Sequence, residues 1–213
     1  NNFLRPIELT TITALGFLPS NFRSTSLATS SVGTTINAQI YARDNITINS
    51  ASNSNQGMGV SENITSRSGD VTLNGATVAT IGVYVVAANV VTANNITING
   101  TSSAAPSWVT QIAALKINAA SVGGDIIVTG NVIGLPGANG GIYQVGNITG
   151  ANGSSISFIS NNDISQSGAL ILAANTSGTA ANITFDTTTG DKTSTIVSGA
   201  LTIAANTSSS AIN

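Results

Sequence analysis

A short phrase returns along this chain at nearly constant spacing, and that return limits the possible folds more than any other feature. "NITINS" occupies Asn45–Ser50, "DVTLNG" Asp70–Gly75 and "NITING" Asn95–Gly100, so successive starts lie 25 residues apart. The phrase continues as "DIIVTG" (Asp125–Gly130), "SISFIS" (Ser155–Ser160) and "NITFDT" (Asn182–Thr187), after intervals of 30, 30 and 27. Each copy alternates, with apolar pairs Ile46/Ile48, Val71/Leu73, Ile96/Ile98, Ile126/Val128, Ile156/Phe158 and Ile183/Phe185. Period-two alternation over short runs bounded by Gly and Asn reads as a half-buried strand.

A second strand is expected between successive phrases, at Met58/Val60, Val83/Val85, Leu115/Ile117, Leu170/Leu172 and Leu201/Ile203, with Ile142 and Val145 holding the place less regularly. "GALILAANTS" from Gly168 and "GALTIAANTS" from Gly199 agree at eight of ten residues, 31 apart. A third apolar position follows at Ile64, Val90, Val122 and Ile148.

One such unit cannot bury its inward side chains alone, whereas stacked units share a continuous core. The expected fold is therefore all-β, a parallel β-helix (β-solenoid) of about six rungs of 25–31 residues. At about 4.8 Å per rung it forms a rod of roughly 30 Å. The uneven intervals place loops at Ser102–Trp108 and Gly134–Gly141. Stacking would align Thr47, Thr72 and Thr97 on the outside, and Asn49, Asn74 and Asn99 at the following turn. Ladders of identical amides bond along a stack.

The solenoid is expected over residues 35–213. Residues 1–34 lack the phrase and read as a cap, an irregular preceding rung, or a strand donated to a neighbour, with Ile7–Leu18 as that strand. The closing "SSSAIN" carries no cap signal, as expected of a piece of a longer rod or of an end closed by another molecule.

Charge narrows the function. Six basic and eight acidic residues give a net charge of −2, and the polar surface falls to 28 Thr, 27 Ser and 25 Asn. With 41% hydrophobic residues there is material for a core, unlike a disordered chain. Arg5, Arg23, Arg43, Arg67, Lys116 and Lys192 are scattered, so nucleic acid, which needs clustered cations, is not an expected partner. The longest apolar run, Ile81–Val91, contains Asn89 and is too short to span a bilayer, so membrane insertion is not expected. No basic segment followed by an apolar one opens the sequence.

No site chemistry is spelled out. There is no Cys for thiolate ligation and no His to act as general base or ligand. Asp70 and Asp125 hold equivalent positions with Asn95 between them, roughly 9.6 Å apart by two strand spacings. That is near the upper limit for an inverting glycosidase, but Asp beside Gly at a turn is the simpler reading. "DTTTGDK" (Asp186–Lys192) has two carboxylates around a Gly yet no full oxygen set for calcium. Ile127 and Ser157 interrupt the Thr column, against an ice-binding array. No catalytic, cofactor-binding or metal-binding residue is assigned, no cofactor is expected, and the chain is read as not an enzyme.

Three stretches carry a family likeness: "NITING" (Asn95–Gly100), "GDIIVTGNV" (Gly124–Val132) and "NNDISQSGALILAANTSGTAANITF" (Asn161–Phe185). Together with the rest of residues 35–213, they resemble the passenger repeats of filamentous-haemagglutinin-like and high-molecular-weight adhesins of bacterial two-partner secretion systems, and related autotransporter passengers. The resemblance implies a right-handed parallel β-helix, an extracellular location on the outer-membrane-associated cell surface, and adhesion. That family's secretion-recognition motif has no copy in residues 1–34. Members of the high-molecular-weight group are glycosylated at Asn-X-Ser/Thr, which makes Asn45, Asn63, Asn95, Asn99, Asn147, Asn152, Asn175, Asn182 and Asn206 candidate glycosylation sites. A sequence this rich in Asn, Ser and Thr also makes such triplets by chance, and turns favour the same residues.

The expected function is a non-enzymatic structural and adhesive segment of a secreted surface adhesin. Its partners would be a host or neighbouring-cell surface, including neutral glycans. The alternative is a subunit that self-associates end to end into an extracellular filament, with N-terminal strand donation. Tyr84 and Tyr143 are candidate contact residues, because inward Val83 and Val85 turn Tyr84 outward; packing under the Pro106–Trp108 loop is the competing reading.

Overall fold

The computed structural model describes residues 7–9, 22–28, 33–86, 90–91, 94–103, 110–112, 124–133, 140–150, 154–172, 182–187, 195–203 and 211–212. Over these residues the chain winds as a parallel β-solenoid with three faces, and no helix occurs among them.

The repeated phrase builds the longest strands. Ile46–Ser52, Val71–Thr77, Ile96–Ser102, Ile126–Val132, Ile156–Ser160 and Asn182–Asp186 pair in that order, all parallel. Phe22–Ala28 continues the sheet before them and Ala211–Ile212 after them, giving eight strands. The register follows the phrase residue for residue: Ile46, Val71, Ile96, Ile126, Ile156 and Ile183 form one column. All six are buried, as are Ile48, Leu73, Ile98, Val128 and Phe158 in the next inward column. Because strand side chains alternate, a slip of one residue would turn both columns out to water. The Thr47, Thr72 and Thr97 column stands on the outer side, half-buried, and continues as Ile127, Ser157 and Thr184.

The second face also has eight strands: Ile7–Leu9, Thr34–Ile36, Met58–Val60, Val83–Val85, Thr110–Ile112, Ile142–Gln144, Ile164–Gln166 and Thr195–Val197. The third face is two three-stranded sheets. One joins Ile40–Ala42, Ile64–Ser66 and Val90–Val91; the other joins Ile148–Gly150, Leu170–Leu172 and Leu201–Ile203.

This corrects several strand placements. Leu170/Leu172 and Leu201/Ile203 lie on the third face, where they pair in register, so the 31-residue "GAL" repeat is one coil on that face. The strand that follows Val83–Val85 on the second face is Thr110–Ile112; Leu115/Ile117 and Val122 lie outside the described residues. Ile142 does begin a second-face strand, but its inward partner is Gln144, and Val145 is 40% exposed beyond it. The reason is that polar side chains take some inward positions of this face. Gln144 and Gln166 are fully buried, and each Nε2 donates to a corner carbonyl two residues on, Gly146 and Gly168 respectively. The Gly199 N–H donates to Gln166 Oε1 at 3.1 Å. The glutamines thus satisfy the corner backbone from inside, a role that apolar periodicity does not reveal.

Two parts of residues 1–34 pair within their own chain: Ile7–Leu9 with Thr34–Ile36, and Phe22–Ala28 with Ile46–Ser52. The Ser102–Trp108 loop is described only to Ser103, and the Gly134–Gly141 loop only at Gly140 and Gly141. Gly140 has φ 121°, a conformation that favours glycine.

Candidate functional site: an outer groove between two ladders

The last residue of the phrase sits at a constriction inside the corner. Ser50, Gly75, Gly100, Gly130 and Ser160 share one inward column, and all are buried. Here the long strand closes on the start of the second face. A Cβ on Gly75 would run into the Gly82 carbonyl and lie 2.6 Å from Val83 Cγ2. One on Gly130 would run into the Gly141 carbonyl and lie 2.8 Å from Ile142 Cγ1. Where the column carries a side chain it is Ser, whose hydroxyl bonds a nearby carbonyl: the corner one for Ser50, that of the preceding column residue for Ser160. Ser50 Oγ donates to the Gly57 carbonyl, and Ser160 Oγ to the Gly130 carbonyl at 2.8 Å.

Outside this constriction lies a groove of about 340 Å³, lined by Asn49, Ser50, Ala51, Asn74, Gly75, Ala76, Asn99 and Thr101. One wall is an amide ladder: Asn74 Nδ2 donates to Asn49 Oδ1 at 2.7 Å, and Asn99 Nδ2 to Asn74 Oδ1 at 2.7 Å. The opposite wall is Ala51, Ala76 and Thr101. The asparagines therefore do not sit at a turn, as the repeat suggested. They occupy the fourth position of seven-residue strands, half-buried. Asn is a poor strand former, and here its amide is stabilised by the copy one coil away. The column continues as Thr129, Ile159 and Asp186, so the amides end after Asn99.

A second ladder runs where the long strands start. Asn45, Asp70, Asn95, Asp125 and Ser155 stack one coil apart. The Asp70 N–H donates to Asn45 Oδ1 at 2.8 Å, Asn95 N–H to Asp70 Oδ1 at 3.0 Å, Asp125 N–H to Asn95 Oδ1 at 2.9 Å, and Ser155 N–H to Asp125 Oδ1 at 3.1 Å. Asn and Asp interchange because the position requires one side-chain acceptor, which both supply. Asp70 and Asp125 are thus brought into one column, each capping a backbone N–H. Beside them Arg43 and Asp44 form an exposed ion pair of 3.2 Å. The hydrogen bond from Arg43, then that from Ser68, holds the Asp44 carboxyl below its usual range despite an opposing desolvation effect. Among the described residues no three His, Cys, Asp or Glu converge on a common point. Asp191 and Lys192 lie outside the described residues.

The glycosylation candidates fall in different settings. Asn45 and Asn95 are exposed in the corner ladder, and Asn147 is exposed with its Oδ1 accepting the Ala169 N–H at 3.0 Å. Asn63 and Asn182 are half-buried. Asn99 has its Nδ2, the atom a glycan would take, bonded to Asn74. Asn152, Asn175 and Asn206 lie outside the described residues. Tyr84 and Tyr143 stand in one outward column with Gln111 between them, both half-buried. The Pro106–Trp108 loop lies outside the described residues.

The groove was not foreseen from the sequence. Its signal was the Asn-Gly pair closing two copies of the phrase, Asn74-Gly75 and Asn99-Gly100. Glycine marks close backbone approach within a strand, and an adjacent amide marks a stacked polar column. Comparison with protein-family models, with curated proteins and with solved structures returns no match at a significant level.

Proposed function

We propose that this chain is a non-enzymatic structural and adhesive segment of a bacterial extracellular surface adhesin. The observation that carries the reading is the uninterrupted in-register long sheet, whose outer columns from Ile46 to Ser160 contain no charged residue. Parallel ladders along one axis make a stiff spacer. An uncharged face approaches neutral surfaces without stripping water from ions. The carboxylates at Asp70 and Asp125 serve the backbone, which supports a scaffold over a catalyst. The likeness of the repeats to adhesin passengers points the same way.

Two measurements test the reading. Beads coated with the protein should adhere to host epithelial or neighbouring bacterial cells well above blank beads, and adhesion equal to blanks overturns it. Electron microscopy of native material should show thin solitary rods. Axially repeating filaments would instead transfer the chain to the class of end-to-end fibre subunits.

A further inference from the structure

The outer groove has the chemistry of a ligand site. Resting on the adhesive reading above, we propose that the groove between the Asn49–Asn74–Asn99 ladder and the Ala51–Ala76–Thr101 wall binds a neutral, linear oligosaccharide bearing acetamido groups.

Four observations converge on this ligand. First, none of the eight lining residues is ionisable. A charged ligand would lose hydration there and gain no counter-charge, so the occupant is neutral. Second, an Asn amide offers two N–H donors and two oxygen lone pairs, and the ladder engages one of each at Asn74. The second of each is what an acetamido group pairs with, having one N–H and one carbonyl of its own. Third, the facing methyls of Ala51 and Ala76 offer a small apolar wall for the acetyl methyl.

Fourth, the spacing suits a sugar chain. Rungs about 4.8 Å apart put Asn49 and Asn99 about 9.6 Å from one another. In a β-1,4-linked chain successive acetamido groups face opposite sides, so those on one side recur at every second sugar, on the scale of two rungs. An extended peptide returns same-side groups about every 6.7 Å, out of step with the ladder. Peptides that join a sheet also do so at its edge, whereas this groove lies on a face. The site has a defined end, because Thr129 and then the 37%-exposed Ile159 replace the amides.

The test is a titration of the full chain with the tetramer of β-1,4-linked N-acetylglucosamine, followed by the side-chain amide NMR signals of Asn74 and Asn99 and the backbone signal of Ala76. Saturable shifts at these three are expected. Cellotetraose, which has hydroxyls in place of the acetamido groups, should bind at least tenfold more weakly. Ala76→Leu fills the groove from its wall and should weaken tetramer binding at least tenfold, with the circular dichroism spectrum and urea midpoint retained. If that variant does not fold, Ala51→Val takes its place. No saturable binding, equal binding of cellotetraose, unweakened binding by a folded variant, or preference for a neutral extended peptide each overturns the proposal. Bead adhesion separates the two readings. Adhesion without tetramer binding removes the groove alone, and tetramer binding without adhesion removes the adhesive role alone.

Discussion

Asn74 Nδ2 lies 2.7 Å from Asn49 Oδ1, a side-chain hydrogen bond between residues 25 apart in sequence that are neighbours across one strand spacing. The same bond recurs from Asn99 to Asn74, so Asn74 is donor to one coil and acceptor from the next.

Asn74→Asp should therefore break the ladder on one side and set a carboxylate against the Asn49 oxygen. A loss of about 1–3 kcal/mol is expected at pH 7, read by urea denaturation. Only the protonated acid can donate to Asn49, so the folded-state pKa of the new carboxyl is raised. The deficit should shrink below the unfolded value of about 3.9 and be complete once pH rises through the raised one. A deficit independent of pH would show that the ladder bond is not what was lost.

Gly75 and Ser50 occupy the same constricted column, so side-chain chemistry should matter there as much as size. Gly75→Val forces two extra methyl groups toward the Gly82 carbonyl and Val83 and should cost about 1–3 kcal/mol or more. Gly75→Ser, whose hydroxyl bonds the corresponding carbonyl at Ser50, should cost less. Equal urea midpoints for the two variants would contradict the constriction.

At the core's C-terminal side, Phe158 stacks on Phe185 with ring centroids 5.4 Å apart and 8° between planes. Phe158→Ala should destabilise by about 3–5 kcal/mol, and Phe158→Leu by distinctly less. Differential scanning calorimetry would order the two.

Asp44 titrates on the surface beside Arg43. Its depressed folded-state pKa means that its contribution is present above the ordinary value of 3.8 and is lost as pH falls through the depressed one. Carboxyl NMR should place its midpoint below 3.8, and Arg43→Gln should move that midpoint upward. An unmoved midpoint would assign the shift to Ser68 instead.

The long face was legible because its inward positions are apolar and its register repeats residue for residue: Ile46, Val71 and Ile96 could be stacked from the sequence alone. The second face was legible only through Val83–Val85. From Ile142 onward, Gln144 and Gln166 point inward, and hydropathy reads them as surface although both are fully buried. The Asn column was foreseen as a column but placed at a turn, because strand preference describes an isolated residue and its stabilising partner is one coil away. The groove was hidden for a related reason: its walls are two outward columns, each assembled from three separate coils.

Most side-chain bonds between coils have a grain. Asn74 donates to Asn49, the Asp70 N–H to Asn45 Oδ1, Ser68 Oγ to the Arg43 carbonyl, Asn94 Nδ2 to the Ser68 carbonyl, and Ser198 Oγ to the Gln166 carbonyl. In each the acceptor belongs to the earlier coil and the hydrogen to the later one. The backbone ladders exchange hydrogens both ways, and Asn161 Oδ1 accepts the Val132 N–H of the coil before it. The polarity therefore belongs to these side chains alone: at these positions each coil leaves its oxygens facing the coil that follows, and the two ends of the stack are chemically unlike.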